Sequence, residues 1–247
     1  MKGSVAVGLL AVSFTLTAGE KAAEPVRFYA NARVVLDEQG VPQQVQANEK
    51  LPAVVRGVIE ERVLRWRFEP ARVGGVAKTG VTHVFMDACA VPLPDGGMRM
   101  ALDYRSNGPA LAQGALFAAP PRYPVDAARM AREGRFRVVI NVGQDGTATV
   151  GSIDPLEGSL KPFEKTLRDW VAAMRYVPEQ VDGVPIATQL AIPVDFAMGG
   201  GMGMRRAERA EKEQAAQSPE CRAASAGGTD PQRPVVLDSP FKPRETG

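Results

Sequence analysis

Two stretches of this chain repeat each other, and the repeat limits the fold more than any other feature. Trp66-Arg67-Phe68-Glu69-Pro70, followed by Gly75, is answered by Met174-Arg175-Tyr176-Val177-Pro178 and Gly183. Upstream, Val34-Val35-Leu36-Asp37-Glu38-Gln39-Gly40 is answered by Ile140-Asn141-Val142-Gly143-Gln144-Asp145-Gly146. The offset is 106 residues for the upstream pair (34 to 140) and 108 for the downstream pair (66 to 174), a difference of two residues between strand and helix. A chain of 247 residues carrying such a repeat predicts two small related units rather than one large domain.

The second copy is the easier to follow. Pro124 suits the start of a short helix over Val125 to Arg132, which Gly134 ends. Phe136, Val138, Ile140 and Val142 then alternate with Arg135, Arg137 and Asn141, the period of a half-buried strand. Gln144-Asp145-Gly146 turns the chain, with Asp145 as turn former, and Thr147 to Ile153 returns as the second strand of a hairpin. Phe163, Leu167, Trp170, Val171 and Met174 form one apolar stripe on a helix over Leu160 to Arg175. Pro178 and Gly183 mark a turn, and alternation from Ile186 to Phe196 gives a long third strand.

The first copy follows the same order, with strands over Val26 to Leu36 and Val41 to Ala47. A helix from Leu51 to Trp66 and a closing strand from Val76 to Ala88 complete it. The expected class is therefore α+β, each unit a three-stranded antiparallel sheet in the order strand, strand, helix, strand, with the helix on one face. The expected boundaries are a first unit over 24–90, a linker over 91–117 rich in Pro, Gly and Ala, and a second unit over 118–198. Met98 to Tyr104 has the makings of one extra strand in the linker. Residues 199–247 are expected to be a Gly-rich link, a charged helix over Arg205 to Gln217 and a disordered tail. Val235-Val236-Leu237 is an apolar run in that tail, short, but able to form a strand that docks back.

Lys2 precedes an uncharged, largely apolar run from Val5 to Ala18, and small residues at Thr17-Ala18-Gly19 precede Glu20-Lys21. That is the layout of a secretory signal over residues 1–19, cleaved after Gly19. Retained, Val5 to Gly19 would be a membrane anchor, but as a helix it spans roughly 22 Å against a hydrocarbon core of about 30 Å. Export exposes the two cysteines, Cys89 and Cys221, to an oxidising compartment. They can pair across a long loop or remain two unrelated thiols.

Composition excludes several classes of function. Thirty Lys plus Arg against 28 Asp plus Glu leaves a net charge of +2, no electrostatic reason to bind nucleic acid. Two cysteines and one histidine do not make a zinc framework or support most histidine-dependent catalysis. No nucleophile with its base, no metal cluster and no phosphate loop stands out, so no enzyme, cofactor or metal is expected. Single residues take modest roles: Tyr123-Pro124 as a helix entry or a contact, Arg175 as a helix-end cation or a partner contact. Trp66 and Trp170 fall in the cores, and His83 is a satisfied or exposed strand residue.

Taken in order, several motifs of the second copy form a set. They are Tyr123-Pro124, Ala127-Ala128, Glu133-Gly134 leading into the first strand, and Asp145-Gly146. After the helix come Arg175-Tyr176-x-Pro178, Gly183-x-Pro185 and Pro193-x-x-Phe196. Through them residues 118–198 resemble the C-terminal domain of TonB energy transducers. The first copy resembles it less closely, keeping Trp66-Arg67-Phe68-x-Pro70 and Gly75 but not the Tyr-Pro and Glu-Gly motifs. The resemblance implies a periplasmic module that captures an extended segment of an outer-membrane receptor by strand addition, in the service of energy-dependent outer-membrane transport. An edge strand offers unpaired N–H and C=O groups, and an extended peptide satisfies them.

On this chain the implied edge is the third strand, Pro185 to Phe196. The main chain of Ile186, Ala187, Thr188, Gln189, Leu190, Ala191 and Ile192 would make the contacts, with Pro185 and Pro193 limiting the ladder. Ala187, Gln189 and Ala191 would face away from the helix. If Val5–Gly19 is retained, the protein is anchored in the inner membrane and an inner-membrane complex becomes a further partner. Coupling to the proton-motive force is not implied, because the one histidine is His83 and no long Pro-rich spacer precedes the first unit. The other expectation is an envelope scaffold with TolA-like or TonB-like modules, in which the edge is already occupied.

Overall fold

A computed structural model of the chain describes residues 26–93, 95, 97–115, 118–198 and 234–246. The signal or anchor over residues 1–19, the charged helix expected from Arg205 and Cys221 lie outside the described residues. In chain order the first half forms β1 (Val26–Leu36), β2 (Pro42–Ala47), α1 (Ala53–Val63), β3 (Arg67–Phe68), β4 (Ala71–Val73), β5 (Val76–Lys78) and β6 (Gly80–Pro92). Next come β7 (Met98–Gly108) and β8 (Ala110–Leu111). The second half forms α2 (Val125–Arg129), β9 (Gly134–Val142), β10 (Ala148–Glu157), α3 (Glu164–Ala172), β11 (Tyr176–Val177), β12 (Gln180–Val181), β13 (Val184–Pro185) and β14 (Thr188–Phe196). The tail adds β15 (Val235–Val236) and β16 (Pro243–Glu245).

Period-two alternation puts one face of each sheet under its helix. In the first core Ala30, Ala32, Val34 and Leu36 of β1 and Val84, Met86 and Ala88 of β6 meet Ile59 and Val63 of α1, with Trp66 and Phe68 at the end. In the second, Phe136, Val138, Ile140 and Val142 of β9 and Leu190, Ile192, Val194 and Phe196 of β14 meet Leu167 and Val171 of α3. Phe163 stacks on Phe196 with ring centroids 4.5 Å apart, and Tyr123 closes the cluster edge-on to Phe196 at 5.4 Å. The helices are shorter than their stripes. The last turn before each Arg-aromatic motif breaks into turns that Arg67 and Arg175 hold, donating from Nη1 to the carbonyls of Trp66 and Met174. Likewise α2 stops at Arg129 rather than Arg132, where Ala131 turns the chain at a φ of 48°.

The repeat extends to fine geometry. Gly40 and Gly146 both sit at a φ of 77° in the hairpin turn. Their carbonyls accept from Phe68 N (3.0 Å) and Tyr176 N (2.9 Å), which stitches the Arg-aromatic strand to the turn in each half. A methyl at Gly146 would overlap the Tyr176 carbonyl oxygen, and one at Gly40 the Phe68 carbonyl oxygen. Gly183 shares the φ of 77° but has open space around it. Gly146→Ala is therefore expected to lower stability by roughly 2–4 kcal/mol, combining left-handed strain with a steric clash. Gly183→Ala should lose only about 1 kcal/mol. Urea midpoints of the two variants measure the difference, and equal losses would show that the stitch to Tyr176 is not rigid.

Three expectations need correction. The sheets are not three-stranded: the first runs β13-β12-β6-β1-β2 with β7 also on β6, six strands, and the second runs β10-β9-β14-β15, four strands. Residues 91–117 are not a linker, because β7 pairs with β6 from His83↔Gly108 to Pro92↔Met98. The tail contains ordered structure too, with Phe241 1% exposed in the first core. The physical reason is common to all three. Each closing strand, β6 or β14, would leave an edge unpaired, and the segment that follows it in the chain fills that edge. That segment then crosses over. β8, after β7, pairs with β11 of the second half (Tyr176↔Leu111), and β16, after β15, pairs with β3 of the first (Pro243↔Phe68). The β12–β13 hairpin crosses as well, with Gln180↔Val81 and Val181↔Gly80 on β6.

Candidate functional site: the far edge of the closing strand

β14 pairs on one side with β9 along its whole length, from Thr188↔Val142 to Phe196↔Gly134. Its other side is the edge expected to be open from Ile186 to Ile192. It is closed over part of that range. β15 lies antiparallel to it with Leu190↔Val236 and Ala191↔Val235. Leu237 N donates to Gln189 O at 2.9 Å, and Gln189 N donates to Asp238 Oδ1 at 2.7 Å. The strand also begins later than expected, at Thr188. Val184 and Pro185 belong to the β12–β13 hairpin, and Ile186 packs against the first core, so Ile186 is not an edge residue of the second sheet. Ala187 is exposed between the two sheets, Thr188, Leu190 and Ile192 point into the core, and Gln189 Nε2 reaches Asn141 Oδ1 at 2.9 Å. Ala191, expected on the outer face, is buried.

Val236 binds the two halves of the fold together. It packs on the second core and over Gly108, where a methyl would overlap Val236 Cγ2. Beside it lies a cavity of about 20 Å³ whose lining includes Phe85 and Leu111 with Trp170, Tyr176 and Leu190. Trp170 is therefore only half-buried, at the rim of the core, and its Nε1 donates to Ala119 O at 2.7 Å.

Past Asp238 the tail is locked by a buried polar cluster. Thr82 Oγ1 (2.6 Å) and Ser239 Oγ (2.8 Å) both donate to Glu179 Oε1. Asn107 Nδ2 donates to Ser239 Oγ and to the Phe241 carbonyl, each at 2.9 Å. Glu179 Oε2 has no hydrogen-bond partner. Burial first, and the nearby Asp238 charge as well, hold the Glu179 carboxyl above its ordinary range, against the hydrogen bonds from Thr82, Ser239 and Asn107. A raised carboxyl binds its proton more tightly in the folded chain. Its stabilising effect is full below the ordinary value of about 4.5 and fades as pH climbs through the higher folded value. Glu179→Gln should remove that fading, so that wild type and variant diverge in urea midpoint as pH rises from 4.5; parallel curves would refute the assignment.

The remaining motif residues act in structure. Pro124 caps α2, and Tyr123 Oη donates to Arg132 O at 2.6 Å. Asp145 Oδ1 accepts from Thr147 N and Oγ1, which holds its carboxyl below the usual range. Gly134 opens β9, and Pro178 follows β11. His83, expected to be satisfied or exposed, is buried with Nδ1 unpartnered. Cys89 is buried and disulfide-bonded. The tail residues Val236, Asp238, Ser239 and Phe241, and their receivers Glu179, Asn107 and Gly108, were not anticipated as a set. The only hint was the apolar run at Val235.

The architecture defines a class: helix-backed antiparallel sheets whose closing strands are each paired along the outer edge by a following segment of the same chain. Within it, residues 119–198 match the family described as the Gram-negative bacterial TonB protein C-terminal. The match places a TonB C-terminal-type domain in the second half of the chain and does not extend to β1 through β8. No curated protein matches the chain. No helix among the described residues is long and apolar enough to cross a membrane.

Proposed function

We propose that the chain is a TonB-like protein of the cell envelope, working on the periplasmic side. Its 118–198 domain receives an extended segment of an outer-membrane receptor by strand addition at the far edge of β14. The residues that receive it are Gln189, Leu190 and Ala191 rather than the full run from Ile186 to Ile192. The observation that carries this reading is β15, which pairs with that edge in antiparallel register. An edge that takes one strand through main-chain bonds takes another of suitable sequence. The 24–90 unit is a diverged copy of the same module, supported by the matching turn and stitch at Gly40 and Gly146. Cys89 pairs with Cys221, the only other cysteine. The protein carries out no catalysis, and an inner-membrane complex joins only if Val5–Gly19 is retained.

An incoming segment competes with a tethered one, whose effective concentration is roughly millimolar for a short flexible connection. Displacement therefore leaves a distinct mark. Adding N-terminal segments of outer-membrane receptors should keep the Gln189 and Ala191 amides slow to exchange while the Leu237 amide, released from Gln189 O, becomes fast. A broad panel that leaves Leu237 protected would end this reading.

A second reading has its own observation. Phe241 is buried in the first core and β16 is paired with β3, so the tail is anchored just beyond β15. If the anchor holds β15 permanently, the protein is an envelope scaffold without transport coupling, and Leu237 would exchange only on global unfolding.

A further inference from the structure

Resting on the strand-addition reading, we infer that this edge selects its partner by a short pattern that the tail itself displays: an aliphatic residue, then any residue except proline, then an aspartate, running antiparallel to β14. Each position follows from what faces it. The residue opposite Leu190 is held by Val236, which packs against the second core and over Gly108. A charged or strongly polar side chain there would lose its water without gaining a partner. The small cavity beside Val236 leaves room for a somewhat larger aliphatic side chain.

The next position, Leu237, uses only its backbone N–H, given to Gln189 O, while its side chain is 41% exposed. Proline has no N–H to give, and other residues are equivalent there. At the third position the ladder ends, and a side-chain oxygen, Asp238 Oδ1, takes the Gln189 N–H that a strand carbonyl would otherwise accept. A short acceptor is needed, and a carboxylate makes the stronger bond. The same four residues close β1 at Val34-Val35-Leu36-Asp37. There too the aspartate leaves the ladder, and its Oδ1 accepts the N–H groups of Gln39 and Val41. Val235, 57% exposed, adds no side-chain restriction, though its place opposite Ala191 in the ladder also disfavours proline.

The test uses the full chain carrying Leu237→Pro with Asp238→Ala, which frees the edge while Phe241 stays anchored. Asp238→Ala alone serves as the milder variant should the double change disturb folding. The probe is a blocked hexapeptide of residues 234–239. It should bind the freed chain saturably and slow the exchange of the Gln189 and Ala191 amides at least tenfold. Binding to the unaltered chain should be at least tenfold weaker. In the peptide, Val236→Ser and Asp238→Ala should each weaken binding fivefold or more, and Leu237→Ala less than twofold. A peptide that fails to bind the freed chain, or that binds equally well with Asp238→Ala, overturns the pattern. Receptor segments with and without the pattern separate this from the broader proposal. Equal binding of both kinds defeats the pattern and leaves strand addition standing. Binding of the tail peptide with its full dependence, and of no receptor segment, upholds the pattern and defeats the receptor assignment.

Discussion

Phe241→Ala should destabilise the whole protein by about 3–5 kcal/mol, the range for truncating a fully buried aromatic. The residue is 1% exposed, and its ring lies against Gly80, where a methyl would overlap the ring carbons. Its carbonyl accepts from Asn107, and Glu69 N donates to the next carbonyl, Lys242 O, at 2.7 Å. The ring is thus a plug in the first core delivered from the far end of the described chain. Against a typical total of roughly 5–15 kcal/mol such a loss is a large share. Urea unfolding followed by Trp fluorescence reads it directly, since Trp66 belongs to the same core. Lys242→Ala, at an exposed neighbour, should stay within about 0.5 kcal/mol. A loss below about 1 kcal/mol for Phe241→Ala would show that the tail is not part of the core.

Acidification should cost about 3 kcal/mol through one residue, His83. Burial, and then the positive charge of Arg33, push its imidazole from 6.5 down to about 4, against a hydrogen bond with the Gly108 backbone. The unfolded chain therefore takes up a proton that the folded chain refuses. The stabilising effect is complete above 6.5 and disappears as pH falls through about 4. His83 is the only histidine, so its ring resonances titrate without overlap. A midpoint near 6.5 would contradict the burial. Glu179 pulls the other way above 4.5, so the stability profile is cleanest in the Glu179→Gln background.

Much of this fold was legible in the chain because each half repeats one local grammar. The alternation in β9 and β14, the stripe on α3 and the turn at Gly146 are encoded within windows of about ten residues, where periodicity is strongest. What lay across the repeat was legible only in part: Met98 to Tyr104 and Val235 to Leu237 read as short strands, but not the edges they fill. β7 and β8 sit among Pro and Gly, and the run Met98 to Gly108 buries Met100, Ala101 and Leu102 in succession rather than in alternation. Val235-Val236 is a two-residue strand whose stability comes from Gly108 and the second core, not from its own propensity. Glu179 follows Pro178 in what reads as a solvent turn, and only the tertiary pairing of β12 with β6 buries it. The edge over Gln189 to Ala191 is paired with β15, a segment whose composition suggested disorder.

The crossing of β16 to β3 also sets an order of events during synthesis. Asn107 meets Phe241 across 134 residues of sequence, so the earlier sheet emerges from the ribosome with its hydrophobic plug still unmade. Contacts this distant slow folding and leave apolar surface available to neighbouring nascent chains. Maturation should accordingly be a single late event rather than a stepwise one, and the early half should depend on a holdase until the downstream residues arrive.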